Sequence, residues 1–124
     1  MLEKSPKLDL LAEVGPEERT EADLLSFHPN RIVEIKDDRL KKEILESFYW
    51  DAAREDGPAS CFEPHHALRA EVEGITIQIE ICFTCARFQG TGEFHSLSGT
   101  IVRKGRKTER LFESLVAEQG VQLN

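Results

Sequence analysis

Along this chain of 124 residues the spacing of apolar positions changes from irregular to helical to alternating. The first apolar patch, within MLEKSPKLDLLAEV, is broken by acids and carries no clean period. Gly15-Pro16-Glu17-Glu18 then sets a proline in a first turn, with acids beside the positive end of a helix dipole. That start predicts a short, weakly amphipathic helix reaching Leu24 and Leu25, so that residues 1–26 read as a loosely packed N-terminal helical segment. Phe27-His28-Pro29-Asn30 is a turn signature. The β-branched run Arg31 to Lys36 after it predicts a strand.

Asp37 and Asp38 suit the cap of a longer helix. From there to Arg54, Leu40, Ile44, Leu45, Phe48 and Ala52 recur at three- and four-residue spacing and form one core-facing stripe, flanked by Tyr49 and Trp50. Asp56-Gly57-Pro58 must end it. Beyond this point the period becomes two. Leu68, Ala70 and Val72 alternate with Arg69 and Glu71, and Ile75, Ile77, Ile79, Ile81 and Phe83 alternate with Thr76, Gln78, Glu80 and Cys82. Glu73-Gly74 between the two runs predicts a β-hairpin, because glycine supplies the positive φ of a tight turn. A two-residue loop there makes facing residues sum to 147, pairing Leu68 with Ile79, His66 with Ile81 and His65 with Cys82. Alternation then sends His66 to the inner face with Leu68 and Ile79, and His65 and Cys82 to the outer one. Residues 93–104 predict a further strand or two, and Thr108 can cap a last helix with Leu111, Phe112, Leu115 and Val116 inside and Gly120 as its stop.

The pattern as a whole predicts a single α+β domain over residues 1–124. Its antiparallel sheet has three to five strands, with a central hairpin at about 66–85, packed by helices at about 38–54 and 108–119.

Charge narrows the list of partners. The net charge is −7, and residues 1–57 hold 15 acids against 9 bases while residues 58–124 hold 8 against 7. Nucleic-acid affinity comes largely from Lys and Arg displacing counterions, so an acidic chain argues against a nucleic-acid partner and suits a basic protein. Arg103 to Arg110 does hold five bases in eight residues, but it enters the last helix and reads as a solvated loop. No apolar stretch reaches the ~18 residues of a membrane span, and the N-terminal patch lacks a signal-peptide core. The expectation is a cytoplasmic protein with no membrane partner.

Candidate chemistry centres on three cysteines, Cys61, Cys82 and Cys85. Cys82-Phe83-Thr84-Cys85 has the spacing of a zinc knuckle, and Cys61 with His65 or His66 could complete four ligands. Both sulfurs must then face one point, which needs a bend in the strand after Phe83. A thiol beside an imidazolium could instead be redox-active, although thioredoxin-like pairs open a helix whereas this one ends a strand. The third reading is that the cysteines pack as small hydrophobes. Gly90-Thr91-Gly92 falls far short of a phosphate loop, and Ser96 and Ser98 near His95 carry no weight by adjacency alone.

Cys61 to Ala70 (CFEPHHALRA) followed by Gly74 to Cys85 (GITIQIEICFTC) resembles a family of uncharacterised bacterial proteins. Their signature runs Cys, aromatic, any residue, Pro-Arg-His-Gly, aliphatic, Arg, then a hairpin and a strand ending Ile-Cys-Phe-x-Cys. The likeness covers residues 27–87, and the matching positions include Cys61, Pro64, His66, Arg69, Cys82 and Cys85. His65 stands where the family has arginine and Ala67 where it has glycine. The resemblance thus ties His66, not His65, to the motif, implies no positive φ at position 67 and implies no activity. Many relatives carry export signals, whereas this N-terminus reads without one. Two readings follow. The first is a small acidic non-catalytic protein-interaction module, immunity- or adaptor-like, needing no cofactor. The alternative is a zinc-binding or thiol-redox protein using Cys61, His66, Cys82 and Cys85, with Pro64, His65 and Arg69 as supporting motif residues.

Overall fold

The structure is a computed structural model and describes residues 2, 5–14, 27–54, 64–83, 86–94, 97–101 and 107–123. Among the described residues the framework is an eight-stranded antiparallel sheet. In chain order the elements are β1 (Leu8–Ala12), β2 (Arg31–Ile35), α1 (Asp38–Asp51), β3 (Ala52–Arg54), β4 (His66–Val72), β5 (Ile75–Cys82), β6 (Arg87–Gly90), β7 (Ser98–Ile101), α2 (Lys107–Gln119) and the two-residue β8 (Val121–Gln122). Across the sheet the order is β3-β7-β6-β5-β4-β1-β2-β8.

The hairpin has the expected register, from His66 opposite Ile81 to Val72 opposite Ile75. Glu73 and Gly74 both take positive φ (53° and 80°), as a type I′ turn requires. Ala67 has no positive φ. The expectation of three to five strands is too small, because β1, β3, β6 and β8 carry no periodic signal of their own. The largest correction falls within residues 1–26. Leu8–Ala12 is a fully buried strand inside the sheet, between β2 and β4. A strand covered on both faces has no reason to alternate, and its one acid, Asp9, meets Arg69 directly across the ladder. The expected helix over residues 15–25 lies outside the described residues.

Asp37 caps α1, accepting from the N–H groups of Arg39 and Leu40. The helix ends earlier than the expected residue 54, since Ala52–Arg54 pairs with β7 as a strand. Helix α2 matches its expected span, although Thr108 lies inside the first turn and does not cap it. There the Thr108 hydroxyl is buried against α1: it donates to the Asp51 carboxylate and stands 2.7 Å from the Ser47 hydroxyl. This ties the two helices together.

Both helices pack on one face of the sheet. Ile44, Leu45 and Phe48 of α1 and Phe112 and Leu115 of α2 meet Leu8, Leu10, Val33, Ile35, Leu68, Ile77, Ile79, Ile81 and Phe88. On the opposite face Leu11, Ala67 and Cys82 are also buried. Tyr49 and Trp50 stay exposed on α1. Among the described residues no helix is long and apolar enough to cross a membrane.

Candidate functional site

One transverse row of the sheet, on the helix-covered face, reads Arg31, Ala12, His66, Ile81, Phe88. Ala12 is the smallest of these and sits between two long polar side chains. Arg31 and His66 of this row line a cleft of about 650 Å³ beneath α2. On α2, Glu109, Glu113, Val116 and Ala117 form a stripe at three- and four-residue spacing that, with Gly120 just past the helix end, lines the other wall. Glu13, Val14, His65 and Phe83 complete the lining.

Local hydrogen bonds fix the mouth of this cleft. The Glu13 N–H donates to the His65 carbonyl at 2.8 Å, and the Glu13 carboxylate accepts from the His28 N–H at 2.8 Å. Asn30 joins the surrounding segments. Its side chain accepts from the Val14 N–H at 2.9 Å and donates to the Val14 carbonyl at 2.7 Å, while its own carbonyl accepts from the Leu123 N–H and from Arg31 Nη1. The sequence marks Asn30 only as a turn residue; its part in holding β1, β2 and the C-terminal segment depends on contacts far apart in the chain.

His66 forms the inner wall. Its ring meets Phe83 edge-on (centroids 5.4 Å apart) and lies tilted against Phe112 (6.0 Å), and those two phenylalanines meet edge-on at 5.7 Å. Burial, followed by repulsion from His65, holds the imidazole well below its ordinary value, at about 4. At neutral pH it is therefore uncharged, with one ring nitrogen a donor and the other an acceptor. Its Nδ1 is buried and has no hydrogen-bond partner among the described residues. Among the described residues the lining holds Glu13, Glu109, Glu113, Arg31 and a neutral His66.

The expected metal ligands are placed differently. Cys61 and Cys85 lie outside the described residues. Strand β5 ends at Cys82, and the chain has reversed by Arg87, which pairs with it. The Ala86 N–H reaches the Phe83 carbonyl, and Ala86 has a φ of 56°. Cys82 is buried, on the face opposite His66, because adjacent strand residues point opposite ways. The strand thus breaks where a knuckle would need it to, but His66 and Cys82 do not converge. Among the described residues no three His, Cys, Asp or Glu side chains group as a metal site. His65, expected on the outer face with Cys82, precedes β4 and contributes to the cleft.

Of the motif residues, Arg69 has a structural partner. Its Nε and Nη2 donate to Asp9 Oδ2 at 3.2 and 3.0 Å, on the outer face. Lys7 lies 3.7 Å from the other Asp9 oxygen. Pro64 is buried just ahead of β4. On the same outer face the Glu80 carboxyl is raised by burial, against a hydrogen bond from Gln78 that lowers it. No family model matches this chain, and no curated protein or solved structure is detectably similar to it.

Proposed function

We propose that this protein is a small, acidic, non-catalytic interaction module that binds a basic protein partner through the cleft beneath α2. The observation that carries this reading is the acidic make-up of the cleft wall, whose described lining includes Glu13, Glu109 and Glu113 with Arg31 and an uncharged His66. The net charge of −7 acts in the same direction at longer range, favouring encounter with a basic surface. His66 is unsuited to general base catalysis near neutral pH, since an efficient catalytic group has a pKa close to the working value.

Affinity capture with the wild-type chain and with Glu109→Lys/Glu113→Lys, at low and moderate salt, tests the proposal. The expected result is a basic partner recovered at low salt, weakened at moderate salt and lost on charge reversal. A partner retained equally by both chains at both salts overturns it. The competing zinc or thiol reading makes a different prediction: stoichiometric zinc in the purified protein that disappears in Cys82→Ser.

A further inference from the structure

The outer side of α1 carries a charge order that is its own complement. Arg39, Lys42, Glu43, Glu46 and Trp50 are exposed and recur at three- and four-residue spacing, with Tyr49 at the edge of the same face. Together with Ser47 and Lys107 they line a hollow of about 810 Å³. Trp50 is 67% exposed there and Tyr49 47%. We infer that a second copy of the chain docks on this face, the two α1 helices lying antiparallel about a two-fold axis. This goes beyond the cleft and does not depend on what binds there.

Along the stripe the signs run base, base, acid, acid. In an antiparallel pair centred between Lys42 and Glu43, facing residues sum to 85. Arg39 then opposes the second copy's Glu46, and Lys42 its Glu43, each twice by symmetry. A slip of about one helical turn either way sets Glu43 against Glu46 or Arg39 against Lys42, so like charges meet. Side chains on a helix lean toward its N-terminus, which turns Trp50 inward along the pair and Arg39 outward. The Arg39 guanidinium therefore comes between the second copy's Glu46 and Trp50, a carboxylate and an indole face that both receive it. Lys107, next to the Thr108 that meets Ser47, adds a base near the level of the second copy's exposed Asp38.

Existing contacts leave these charges available. Lys42 stands 3.8 Å from Glu46 of its own helix, an exposed pair that contributes little and still admits a guanidinium at Glu46. Asp38 lies 3.7 Å from Lys41 and is exposed. The net charge of −7 opposes self-association, but this face is balanced, with Arg39, Lys42 and Lys107 against Asp38, Glu43 and Glu46. Charge elsewhere is screened beyond about 8 Å at physiological salt. The 14 residues of α1 span only about 21 Å, so the face suits a weak dimer.

Sedimentation equilibrium of the full chain tests this, with the emission of Trp50, the single tryptophan, as a second readout. The expected result is a dimer that fills between about 10 µM and about 1 mM while the emission moves to the blue. Arg39→Glu and Glu46→Arg each set like charges at both ends of the pair and should weaken it about tenfold or more. Mixed in equal amounts, the two variants should pair with each other nearly as tightly as the wild type does with itself. The double variant Arg39→Glu/Glu46→Arg should also pair with itself, because unlike charges face again. Trp50→Ala should weaken the dimer about tenfold. All three positions are exposed, so the variants should keep their fold, as circular dichroism checks. A chain still monomeric at about 1 mM overturns the inference, as does a dimer that neither single variant weakens. Single variants that weaken the dimer and are not rescued by mixing overturn the antiparallel register. Emission that shifts with a glutamate-rich peptide on a chain that stays monomeric assigns the face to an acidic partner and overturns self-pairing.

Discussion

His66 is a titratable group placed where its charged form is poorly solvated, and the consequence can be measured. Unfolded, its imidazole takes up a proton near 6.5; folded, it does so only at about 4. Between those values the unfolded chain binds a proton that the folded chain refuses, so this group's contribution to stability falls as the pH drops through that window and is constant above it. The full loss is on the order of 3 kcal/mol. His66→Phe removes the titration and leaves His65, Glu13, Glu109, Glu113 and Arg31 around the same space. Urea denaturation of both proteins should therefore show the variant gaining on the wild type as the pH is lowered from about 7 to about 4.5, by roughly 2 kcal/mol. A difference that stays flat across the range would mean that the ring is not desolvated. Cys82 provides an independent check at the same scale. Because it faces away from His66, any zinc bound through it should be unchanged in content by His66→Ala and lost in Cys82→Ser, as read by metal analysis of purified protein. Loss in both would place the two side chains on one ion, contrary to the alternation of the strands.

At the scale of elements, two attachments decide whether the cleft keeps its shape. The first is the tie between α1 and α2. Thr108→Val preserves volume but leaves the Asp51 carboxylate and Ser47 hydroxyl buried without their shared partner, at a cost of about 2–3 kcal/mol. Thr108→Ser should restore most of that, and a shift in urea midpoint at unchanged slope would report it; a Thr108→Val protein as stable as the wild type would show that the network contributes nothing. The second attachment is β1. Leu10→Ala should cost roughly 2–5 kcal/mol by denaturation, as in any closed core, whereas a loosely packed N-terminal segment would lose less than about 1 kcal/mol. These elements also mark what could be read from the sequence. The hairpin was legible to the residue because alternation and Glu73-Gly74 fix one register, and α1 was legible because its stripe is regular and Asp37 caps it. LDLLA was not, since a strand buried on both faces reads as a plain apolar run, too short to tell from a helix turn. Of the site, His66 and its inner face followed from the register. The cleft did not, because it depends on β1 bringing Arg31 and His66 into one row and on α2 crossing above them, and neither is a local property of the chain.

For the whole molecule, the question is whether the charge of −7 or the placement of a few carboxylates governs association. The two can be separated by distance. Glu71 and Glu73 are exposed at the far end of the β4–β5 hairpin, five and seven positions along the chain from His66, so Glu71 lies roughly 17 Å along the strand from the cleft. The Debye length at physiological salt is about 8 Å, so charges at that separation act on a cation in the cleft only when salt is low. Glu71→Gln/Glu73→Gln and Glu109→Gln/Glu113→Gln change the net charge by the same amount. If the field of the molecule dominates, both pairs should slow association alike, and both effects should fade together as salt rises. If binding is local, the distal pair should lower only the association rate, by a few-fold at about 20 mM salt, and have no effect at about 150 mM. The cleft pair should raise the dissociation rate by about tenfold or more at both salts, because charge-assisted hydrogen bonds in a partly dehydrated space are screened far less. Surface plasmon resonance with an arginine-rich peptide immobilised at low density resolves the two rates. Equal behaviour of the two variants would assign recognition to the overall field and remove the cleft from it.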